Sequence, residues 1–377
     1  MRIGIDARMY GPTVGGGGLG RYVEQLVMGL QKYNTEHRFV LFLKKENFDA
    51  CRITNPLFEK RLADIHWYGL KEQYRFPALI EKEQLDLIHY PHWNIPLLCR
   101  TPFVVTIHDV ILLEEPKSAR ITTRSPFHFW IKYVGYKLAL ARALQKSKNI
   151  VAVSHYTKKR LQKFFPALPE KKITVVYEGI TTFANASTES LPTNITDPYL
   201  LYIGNAYPHK NLEVLLAAFT LFSKDHPDIQ LVLAGRDDIF YKRLKDYAEG
   251  LSLAKHRIVF IQSPSDALVQ TLYKQALLYV FPSRTEGFGL PPLEAMSYGI
   301  PVICSRASCL PEILQDAAAY FDPNDTEEIA RTLSRVVMSQ EEQDLLRKKG
   351  FEQITRYSWD EMAKTLLTLY GGITTKK

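Results

Sequence analysis

The chain of 377 residues is predicted to be an α/β protein with two domains, each built on a parallel sheet. Short apolar runs alternate with helical patterns through most of the sequence, and this alternation is typical of a parallel sheet covered by helices on both faces. The length exceeds what one hydrophobic core usually supports. The alternation stops once, at residues 181–198, which are rich in Ser, Thr, Asn and Pro. We therefore expect two Rossmann-like domains that face a central crevice.

These observations set the domain boundaries. The N-terminal domain is predicted over residues 1–180, the linker over 181–198 and the C-terminal domain over 199–357. Residues 358–377 are predicted to form a final helix and tail, with Ser358 as the N-cap. The sequence does not fix where this helix packs, and the N-terminal domain is one candidate.

The predicted strands fall into two sets. Those of the first domain are 2–6, 39–43, 86–89, 103–107, 150–153 and 173–176. Those of the second domain are 199–203, 230–234, 257–261, 278–281 and 301–304. Ligands of open parallel sheets bind outside the carboxyl ends of the strands, so we expect the chemistry in the loops that follow them.

The composition is that of an ordinary globular protein. Hydrophobic residues make up 46% and charged residues 23% of the chain, which excludes a disordered, collagen-like or disulfide-stapled protein. The four cysteines form no C-x-x-C pair and no cluster with histidine, so we expect free thiols and no metal site. No apolar run reaches the length of a membrane span, and no signal segment opens the sequence. A cytoplasmic location is expected.

The net charge of +8 is distributed unevenly. Residues 1–180 hold 28 Lys and Arg against 16 Asp and Glu, whereas the rest holds 20 against 24. Twelve of the basic residues lie in the segment 117–163, which has no acidic residue. Aromatic residues interleave with lysines on a helical pattern at 127–138, which fits a helix on an anionic membrane surface and equally a helix with an aromatic core face. No nucleic-acid-binding motif accompanies the charge, so no nucleic-acid partner is expected.

The stretch 286–294 combines glycine and proline in a way that suits phosphate binding. It follows a predicted strand and leads into a helix, where proline is favoured in the first turn. Gly287 and Gly289 let the backbone approach a ligand closely, so the amides of Phe288, Gly289 and Leu290 are predicted to point at an anion by the helix N-terminus.

Two carboxylates flank this predicted phosphate site. The run from Glu286 to Val302, EGFGLPPLEAMSYGIPV, resembles the E-x7-E signature of the family-4 retaining glycosyltransferases, which have the GT-B fold. In that family the first glutamate lies against the donor sugar and the second against the nucleotide ribose. The resemblance therefore implies these donor-binding roles for Glu286 and Glu294, with Glu294 expected in the first helical turn. The sequence of this motif most resembles that of bacterial mannosyltransferases.

A second motif, residues 202–211, ends the first predicted strand of the second domain. It resembles the family's G-R…K-N donor loop, in which Arg and Lys hold the diphosphate. Lys210 matches this pattern, but Asn205 stands where the family usually has Arg, so the donor site lacks one expected cation. Four residues are candidates to supply the missing charge: His209, Arg284, Arg8 and Arg21.

The glycine-rich loop 15–20 follows the first strand and formally contains G-x-G-x-x-G. A dinucleotide site is disfavoured because residues 9–14 separate the loop from the strand, and because the region about 20 residues further on, 39–43, has no acidic residue for a ribose. The loop resembles instead the family's G-G-x-x-R-Y motif, which lines the crevice near the donor phosphate and the acceptor. The resemblance implies donor contacts by Gly17 and Gly18, and acceptor contacts by Arg21 and Tyr22.

Three histidines follow strands of the first domain. His108, in the context T-I-H-D, matches a family histidine that contacts the donor sugar beside the reacting carbon. A histidine in this place is also often satisfied by a neighbouring backbone group. His89 and His92 end the preceding strand and are predicted to bind the acceptor.

The resemblance implies a retaining hexosyltransferase with His108, Glu286 and Lys210 as its catalytic residues. Mannose from GDP-mannose is the expected donor, and a saccharide or lipid-linked saccharide is the expected acceptor in surface-polysaccharide or glycolipid synthesis. No Asp-x-Asp occurs in the chain, so we expect no metal and no cofactor besides the donor. Four alternatives stay open: a UDP-sugar donor, a glycoside hydrolase, an NAD-dependent dehydrogenase and a catalytically inactive sugar-nucleotide-binding relative.

Overall fold

The computed structural model describes residues 1–116, 126–181, 189–196, 198–251 and 257–374. The chain divides into two compact units, one formed by Met1–Gly179 with Tyr357–Lys377 and the other by Ile180–Arg356. Each unit contains one parallel sheet, so the predicted α/β class with two Rossmann-like domains is confirmed. Eight of the eighteen residues of the predicted linker, 182–188 and 197, lie outside the described residues.

The first unit is built on a seven-stranded sheet with the order β3-β2-β1-β4-β5-β6-β7. Its strands are β1 (Arg2–Asp6), β2 (Arg38–Leu43), β3 (Phe58–Leu62), β4 (Leu87–Tyr90), β5 (Phe103–Ile107), β6 (Asn149–Ala152) and β7 (Ile173–Val175). All neighbours pair in parallel. The direction of strand succession reverses between β1 and β4, which is where ligands of such sheets bind.

Helices cover both faces of this sheet. They are α1 (Pro12–Gly15), α2 (Gly17–Tyr33), α3 (Lys45–Phe48), α4 (Leu70–Lys82), α5 (Ile111–Glu114), α6 (Pro126–Lys146) and α7 (His155–Phe164). One buried cluster joins the sheet to α2, and another joins the opposite face to α4 and α6. Buried aliphatic strands that alternate with amphipathic helices account for this layered arrangement.

The second unit repeats the design with a six-stranded parallel sheet in the order β10-β9-β8-β11-β12-β13. Its strands are β8 (Tyr199–Ile203), β9 (Gln230–Gly235), β10 (Ile258–Gln262), β11 (Leu278–Phe281), β12 (Val302–Ser305) and β13 (Ala318–Phe321). Its helices are α8 (Leu212–Phe222), α9 (Ile239–Glu249), α10 (Asp266–Gln275), α11 (Leu290–Ser297), α12 (Leu310–Leu314), α13 (Thr326–Met338) and α14 (Gln340–Ile354). Strand succession reverses here between β8 and β11.

The last helix, α15 (Trp359–Thr374), belongs to the first unit. It begins where the sequence predicts, because the Ser358 hydroxyl accepts hydrogen bonds from the backbone N–H groups of Asp360 and Glu361. Its apolar stripe packs against α2, and Leu366 and Tyr370 are fully buried in the core of the first unit. Residues of α15 therefore complete a core that is built mainly from Met1–Gly179.

Two strands were not predicted, and both lie at sheet edges. β3 reads Phe-Glu-Lys-Arg-Leu, and Glu59 and Arg61 form ion pairs with each other and with Arg2 and Glu83. Charged residues are common on edge strands but hide the apolar pattern that marks a strand. β13 reads Ala-Ala-Tyr-Phe, and alanine has little β-propensity.

The helix α6 contains the aromatic and basic pattern noted in the sequence. Phe129 and Tyr136 are buried, whereas Trp130 and Leu138 are more than half exposed. The helix therefore has an aromatic core face, and association of its exposed apolar face with a membrane stays a prediction. Residues 117–125 of the basic segment lie outside the described residues. None of the helices within the described ranges is both long and apolar enough to span a membrane.

We predict that Leu366→Ala lowers the free energy of unfolding of the first unit by about 2–5 kcal/mol, because it leaves a cavity in a fully buried site. Urea unfolding followed by tryptophan fluorescence checks this, since all four tryptophans lie in the first unit: Trp67, Trp93, Trp130 and Trp359. The control is Leu70→Ala at an 85% exposed position of α4, with an expected change within about 0.5 kcal/mol. Equal effects of the two substitutions would show that α15 does not contribute to this core.

Candidate active site

In the second unit, the predicted donor-binding residues lie at the carboxyl ends of neighbouring strands. Lys210 ends the 3-10 turn Pro208–Lys210 in the connection after β8. Glu286 lies in the loop between β11 and α11. Because β8 and β11 are paired where strand succession reverses, the two loops meet at the ligand-binding edge of the sheet.

Lys210 and Glu286 form an ion pair. The Lys210 Nζ donates a hydrogen bond to the Glu286 Oε1 at 2.6 Å, and their side chains are only 13% and 11% exposed. The Lys210 ammonium also lies 5.5 Å from the ring centre of Phe281, within the range of a cation–π contact. The Glu286 backbone N–H donates to the Ser308 hydroxyl at 3.1 Å. The site therefore holds one cation and one carboxylate in fixed positions, little exposed to water.

The glycine and proline pattern after Glu286 starts a helix as predicted. Gly289 is the N-cap of α11 in a left-handed conformation, with φ of 96°, which glycine adopts without strain. Pro291 and Pro292 fall in the first turn. Glu294 is the fifth residue of this helix, so its predicted place in the first turn is wrong. Contacts of the amides of Gly287, Phe288, Gly289 and Leu290 with phosphate stay a prediction.

Asn205, which stands in the place of the expected arginine, is part of a tightly held loop. Its backbone carbonyl accepts a hydrogen bond from the Tyr202 hydroxyl at 2.7 Å. The hydroxyl of Tyr241 donates to the neighbouring Gly204 carbonyl at 2.9 Å. The aromatic residues fix the backbone here, and the donor contact of the Asn205 side chain stays a prediction.

Two of the four candidates for the missing charge do not supply it. His209 is buried, and burial together with the charge of Lys210 lowers its pKa to about 4, so it is neutral at neutral pH. Arg8 is 2% exposed and paired with Asp6 and Glu72 inside the first unit. Burial lowers the pKa of Arg8, but the two carboxylates outweigh burial and raise it. Both candidates are therefore wrong, His209 because it is uncharged and Arg8 because its charge is already neutralised.

Arg284 remains a candidate within the second unit. Its Nη2 donates to the Pro208 carbonyl at 3.0 Å, and its backbone N–H donates to the His209 carbonyl at 2.8 Å. These bonds connect the segment before Glu286 with the turn that carries Lys210. Arg284 therefore lies beside the Lys210 and Glu286 pair, while a role for Arg21 in the first unit stays a prediction.

In the first unit, His108 follows β5 and is held on both sides of its ring. Its Nδ1 lies 2.9 Å from the Glu178 Oε1, and its Nε2 lies 2.9 Å from the Pro91 carbonyl oxygen. The ring packs edge-on against Tyr22 at 4.5 Å between centres. Burial lowers the pKa of His108, but Glu178, then the Pro91 carbonyl and Asp109, outweigh burial and raise it. This environment favours the doubly protonated ring, in which both nitrogens donate hydrogen bonds.

The glycine-rich loop after β1 contains glycines of two kinds. A Cβ on Gly15 or Gly20 would clash with the backbone carbonyl of Met9 or Gly11, so these two glycines permit close chain packing. Gly17 and Gly18, by contrast, are exposed, and a Cβ on either would meet no atom within 4 Å. They open the helix α2, where backbone N–H groups favour an anion. Their contact with the donor stays a prediction.

Two predicted acceptor-binding residues are core residues. His89 is fully buried, with its Nδ1 2.6 Å from the Tyr370 hydroxyl and its Nε2 2.8 Å from the Thr106 hydroxyl. Burial and the charge of His108 lower the pKa of His89 to about 3, so it stays neutral. Tyr22 is 1% exposed, and its hydroxyl lies 3.2 Å from that of Thr106. The prediction that either side chain contacts an acceptor is wrong, because neither reaches solvent.

His92 and Arg21 are only partly buried, and their predicted roles are untested. The His92 Nδ1 accepts a hydrogen bond from the backbone N–H of Asn94 at 3.3 Å. Burial and the charge of His108 lower the pKa of His92 to about 3. His92 follows β4 at the reversal of the first sheet, so its place agrees with an acceptor contact.

Sequence reasoning missed Glu178 and Ser308. Glu178 follows β7 at the carboxyl edge of the sheet, and a search of every strand end for carboxylates would have found it. Ser308 follows β12 and has a φ of 55°, an uncommon conformation for a residue with a side chain. This conformation accompanies the hydrogen bond that its hydroxyl accepts from Glu286.

The cysteines are free thiols, and three of them are buried: Cys51, Cys304 and Cys309. Among the residues that the structure describes, no three His, Cys, Asp or Glu side chains come together as a metal site would require.

The sequence matches two family models that together span most of the chain. Residues 16–182 match the model described as Glycosyltransferase Family 4, and residues 184–353 match the model described as Glycosyl transferases group 1. The fold and the matched models define the class, a glycosyltransferase with the two Rossmann-like domains of the GT-B fold. The chain belongs to glycosyltransferase family 4, of the group 1 type.

The relatives and structural neighbours agree with this family. O-antigen chain mannosyltransferase B of Escherichia coli is 27% identical and aligns over 94% of this chain and 95% of its own. O-antigen chain mannosyltransferase RfbU of Salmonella typhimurium is 27% identical and aligns over 72% of this chain and 71% of its own. Sucrose-phosphate synthase from Thermosynechococcus elongatus is similar in structure, with a TM-score of 0.75 and 18% identity over 100% of both chains. HepE of Anabaena, solved with UDP and glucose, has a TM-score of 0.73 and 16% identity over 99% of this chain and 100% of its own.

We predict that Glu178→Gln destabilises the first unit more at about pH 6 than at about pH 9. The folded-state pKa of His108 is raised, so the His108–Glu178 contribution is fully present below the unfolded pKa of about 6.5 and is lost as pH rises through the folded pKa. At the lower pH we expect a loss of about 1–3 kcal/mol in the free energy of unfolding. Urea unfolding followed by tryptophan fluorescence at both pH values measures it.

The control for this prediction is Glu81→Gln, which makes the same change on the exposed surface of α4. It should change stability little at either pH. A Glu178→Gln effect that does not depend on pH would mean that His108 does not titrate with Glu178 in this range.

Proposed function

We propose that this glycosyltransferase transfers mannose from GDP-mannose to a saccharide or lipid-linked saccharide acceptor, with retention of anomeric configuration and without a metal ion. The observation that carries the proposal is the Lys210–Glu286 ion pair, which lies where strand succession reverses between β8 and β11. Gly289, in its left-handed conformation, and the start of α11 follow Glu286 directly in the chain. The mannosyltransferase relatives support the choice of donor.

In this proposal the second unit stabilises the departing diphosphate. Breaking the bond between the anomeric carbon and phosphate places negative charge on the leaving group, and fixed donors that face this charge lower the barrier. The Lys210 ammonium moves from the Glu286 carboxylate to the diphosphate, and the amides of residues 288–290 donate to the phosphate oxygens. Glu286, released from Lys210, accepts hydrogen bonds from sugar hydroxyls, and Glu294 accepts those of the ribose.

In this proposal the His108 Nε2–H leaves the Pro91 carbonyl and donates to the donor sugar, while the Nδ1–H stays on Glu178. The pairing of His108 with Glu178 and its raised pKa favour a ring that has no free lone pair, so it is poorly suited to accept a proton from the acceptor hydroxyl. The diphosphate oxygen takes that proton instead, as the acceptor attacks on the face that the leaving group vacates. The absence of an Asp-x-Asp motif from the sequence supports charge neutralisation by Lys210 rather than by a metal.

The acceptor side of the proposal places the protein at the inner face of the cell membrane, in surface-polysaccharide or glycolipid synthesis. The exposed apolar residues of α6 and the basic segment 117–163 support peripheral association with an anionic leaflet. Such association would bring the first unit close to a lipid-linked acceptor. A cytoplasmic enzyme has access to nucleotide sugars, which agrees with this location.

The donor is tested by thermal shift of the purified protein with nucleotide sugars. Because a ligand that binds the native state raises the unfolding temperature, we expect GDP-mannose to stabilise the protein more than UDP-glucose at equal concentration. UDP-mannose and GDP-glucose separate recognition of the base from recognition of the sugar. Equal shifts, or no shift with either GDP-sugar, would contradict the donor assignment and favour a UDP-sugar.

The chemistry is tested by Lys210→Met and Glu286→Gln in a transfer assay with the donor found by thermal shift. Loss of Lys210 removes a charge from the leaving group, and we expect kcat to fall about 10²–10³-fold. Loss of the Glu286 carboxylate should weaken donor-sugar contacts and reduce kcat/KM. The control is Lys242→Met, an exposed lysine of α9, with activity expected within about twofold.

Several outcomes would redirect this proposal. Hydrolysis of a nitrophenyl glycoside without any nucleotide would identify a glycoside hydrolase. Binding of GDP-mannose without turnover would indicate a catalytically inactive relative. The presence of Asn205 where the family usually has Arg would then account for the missing activity. Loss of activity on addition of EDTA, restored by a divalent ion, would overturn the metal-independent mechanism.

A further inference from the structure

The first unit contains an open cavity of about 530 Å³ that the proposed transfer site does not use. It lies between the segment 95–103, which leads into β5, and the C-terminal end of α6. Four cationic residues line it together with the apolar side chains of Leu97 and Leu98, and the cations are Arg100, Arg142, Lys146 and Lys148. Its size is that of a small-molecule site.

The positive charge of this cavity is uncompensated in the part of the chain that the structure describes. None of the residues lining the cavity is acidic, and none of its four cations forms an ion pair with a described residue. Lys172 lies close by, with its Nζ donating to the Gln145 carbonyl at 2.7 Å. Burial and then the charge of Lys148 lower the pKa of Lys172, as expected where cations accumulate. An anion would therefore be favoured here.

The cavity is separate from the residues proposed for sugar transfer in the first unit. It lies at the amino end of β5, next to Phe103, whereas His108 directly follows the carboxyl end of that strand. Five residues of extended chain place these ends about 16 Å apart. The cavity is therefore a second site and no part of the His108 environment.

The exposed face of α6 leads directly to this cavity. An α-helix turns about 100° per residue, so Ile131, Val134 and Leu138 lie within about 60° of one another around the helix axis. They form an apolar row and are 56%, 51% and 66% exposed. Arg142 and Lys146 continue this row, with all five residues inside a sector of about 120°, and they line the cavity. The row thus begins apolar and ends cationic, which is the order of an acyl region and a phosphate layer.

We propose that this cavity binds the phosphate head group of an anionic membrane lipid, while the apolar row of α6 inserts beside the acyl chains. A cationic cavity alone could bind any phosphate compound. Because an exposed apolar row leads directly to this cavity, we assign the phosphate to a lipid within a bilayer. The inference rests on the proposed membrane association of the first unit and adds a defined contact point to it. The site holds the enzyme on the leaflet and takes no part in sugar transfer.

The test is sedimentation of the full chain with vesicles of phosphatidylcholine, with and without phosphatidylglycerol. We compare the wild type with Arg142→Ala/Lys146→Ala in the cavity and with Lys242→Ala/Arg243→Ala, a pair of exposed cations on α9 of the second unit. Both double variants lose one Arg and one Lys, so their net charges are equal. Because each cation near an anionic surface contributes about 1 kcal/mol, the cavity variant should lose about ten- to thirtyfold in partitioning. The α9 variant should change by less than about twofold.

Two further measurements keep the result specific. The charge-conserving variant Arg142→Lys/Lys146→Arg should bind vesicles like the wild type, which shows that the loss follows charge and not misfolding. Glycerol phosphate, a soluble head-group analogue, should give no thermal shift at concentrations where anionic vesicles bind. A shift in the wild type that the cavity variant lacks, with vesicle binding equal in both, would assign the cavity to a free phosphate compound and overturn the lipid proposal.

The remaining outcomes separate this site from the proposed function. Equal losses in the cavity and α9 variants would mean diffuse attraction and no head-group site, with membrane association retained. Failure of the wild type to bind anionic vesicles would overturn both membrane association and this site. Sugar transfer to a soluble acceptor, measured in the same preparations, is expected to be equal in the wild type and the cavity variant. Failure of the mannosyltransferase proposal would leave the vesicle result unchanged.

Discussion

Parallel pairing of the central strands decides where the chemistry of this protein lies. In each sheet the strand succession reverses once, between β1 and β4 or between β8 and β11, and the loops that follow these strands leave on opposite faces. The space between them is the one place at the sheet edge that no crossover helix fills. In the second unit, this geometry brings together Lys210 and Glu286, which are 76 positions apart in the sequence. In the first unit, it places the glycine-rich loop near the segment after β4.

The Lys210–Glu286 ion pair connects the loop after β8 with the loop after β11. A carboxylate and an ammonium that are this little exposed lose much of their hydration, and their mutual attraction offsets that cost only when the geometry is good. Ser308 and Phe281 supply the remaining contacts of the pair. A phosphate group near Lys210 would offer it a stronger partner than one carboxylate, since it adds charge and acceptors at once.

Most of the fold could be predicted from the sequence because buried parallel strands are continuous apolar runs and their ends are marked by Gly, Pro and Ser. The charged edge strand β3 could not, since its charged side chains, which pair with residues distant in the chain, hide the apolar pattern of a strand. The family resemblance assigned Lys210 and Glu286 to one donor site, but it did not predict the ion pair between them. The predictions that His89 and Tyr22 contact an acceptor failed for the same reason. A polar aromatic residue near a strand or helix end has the same sequence pattern whether its side chain faces a ligand or the core. Only the contacts with Thr106 and Tyr370 reveal which it is.

The return of α15 to the first unit has a consequence for synthesis on the ribosome. The chain emerges from its N-terminus, so Ile180–Arg356 is available as one uninterrupted unit before Leu366 and Tyr370 appear. The first unit, although translated first, lacks part of its core until the final helix has left the exit tunnel. The β1 and α2 surface that α15 covers is exposed during that interval. The first unit is therefore completed only after the whole of Ile180–Arg356 has been synthesised.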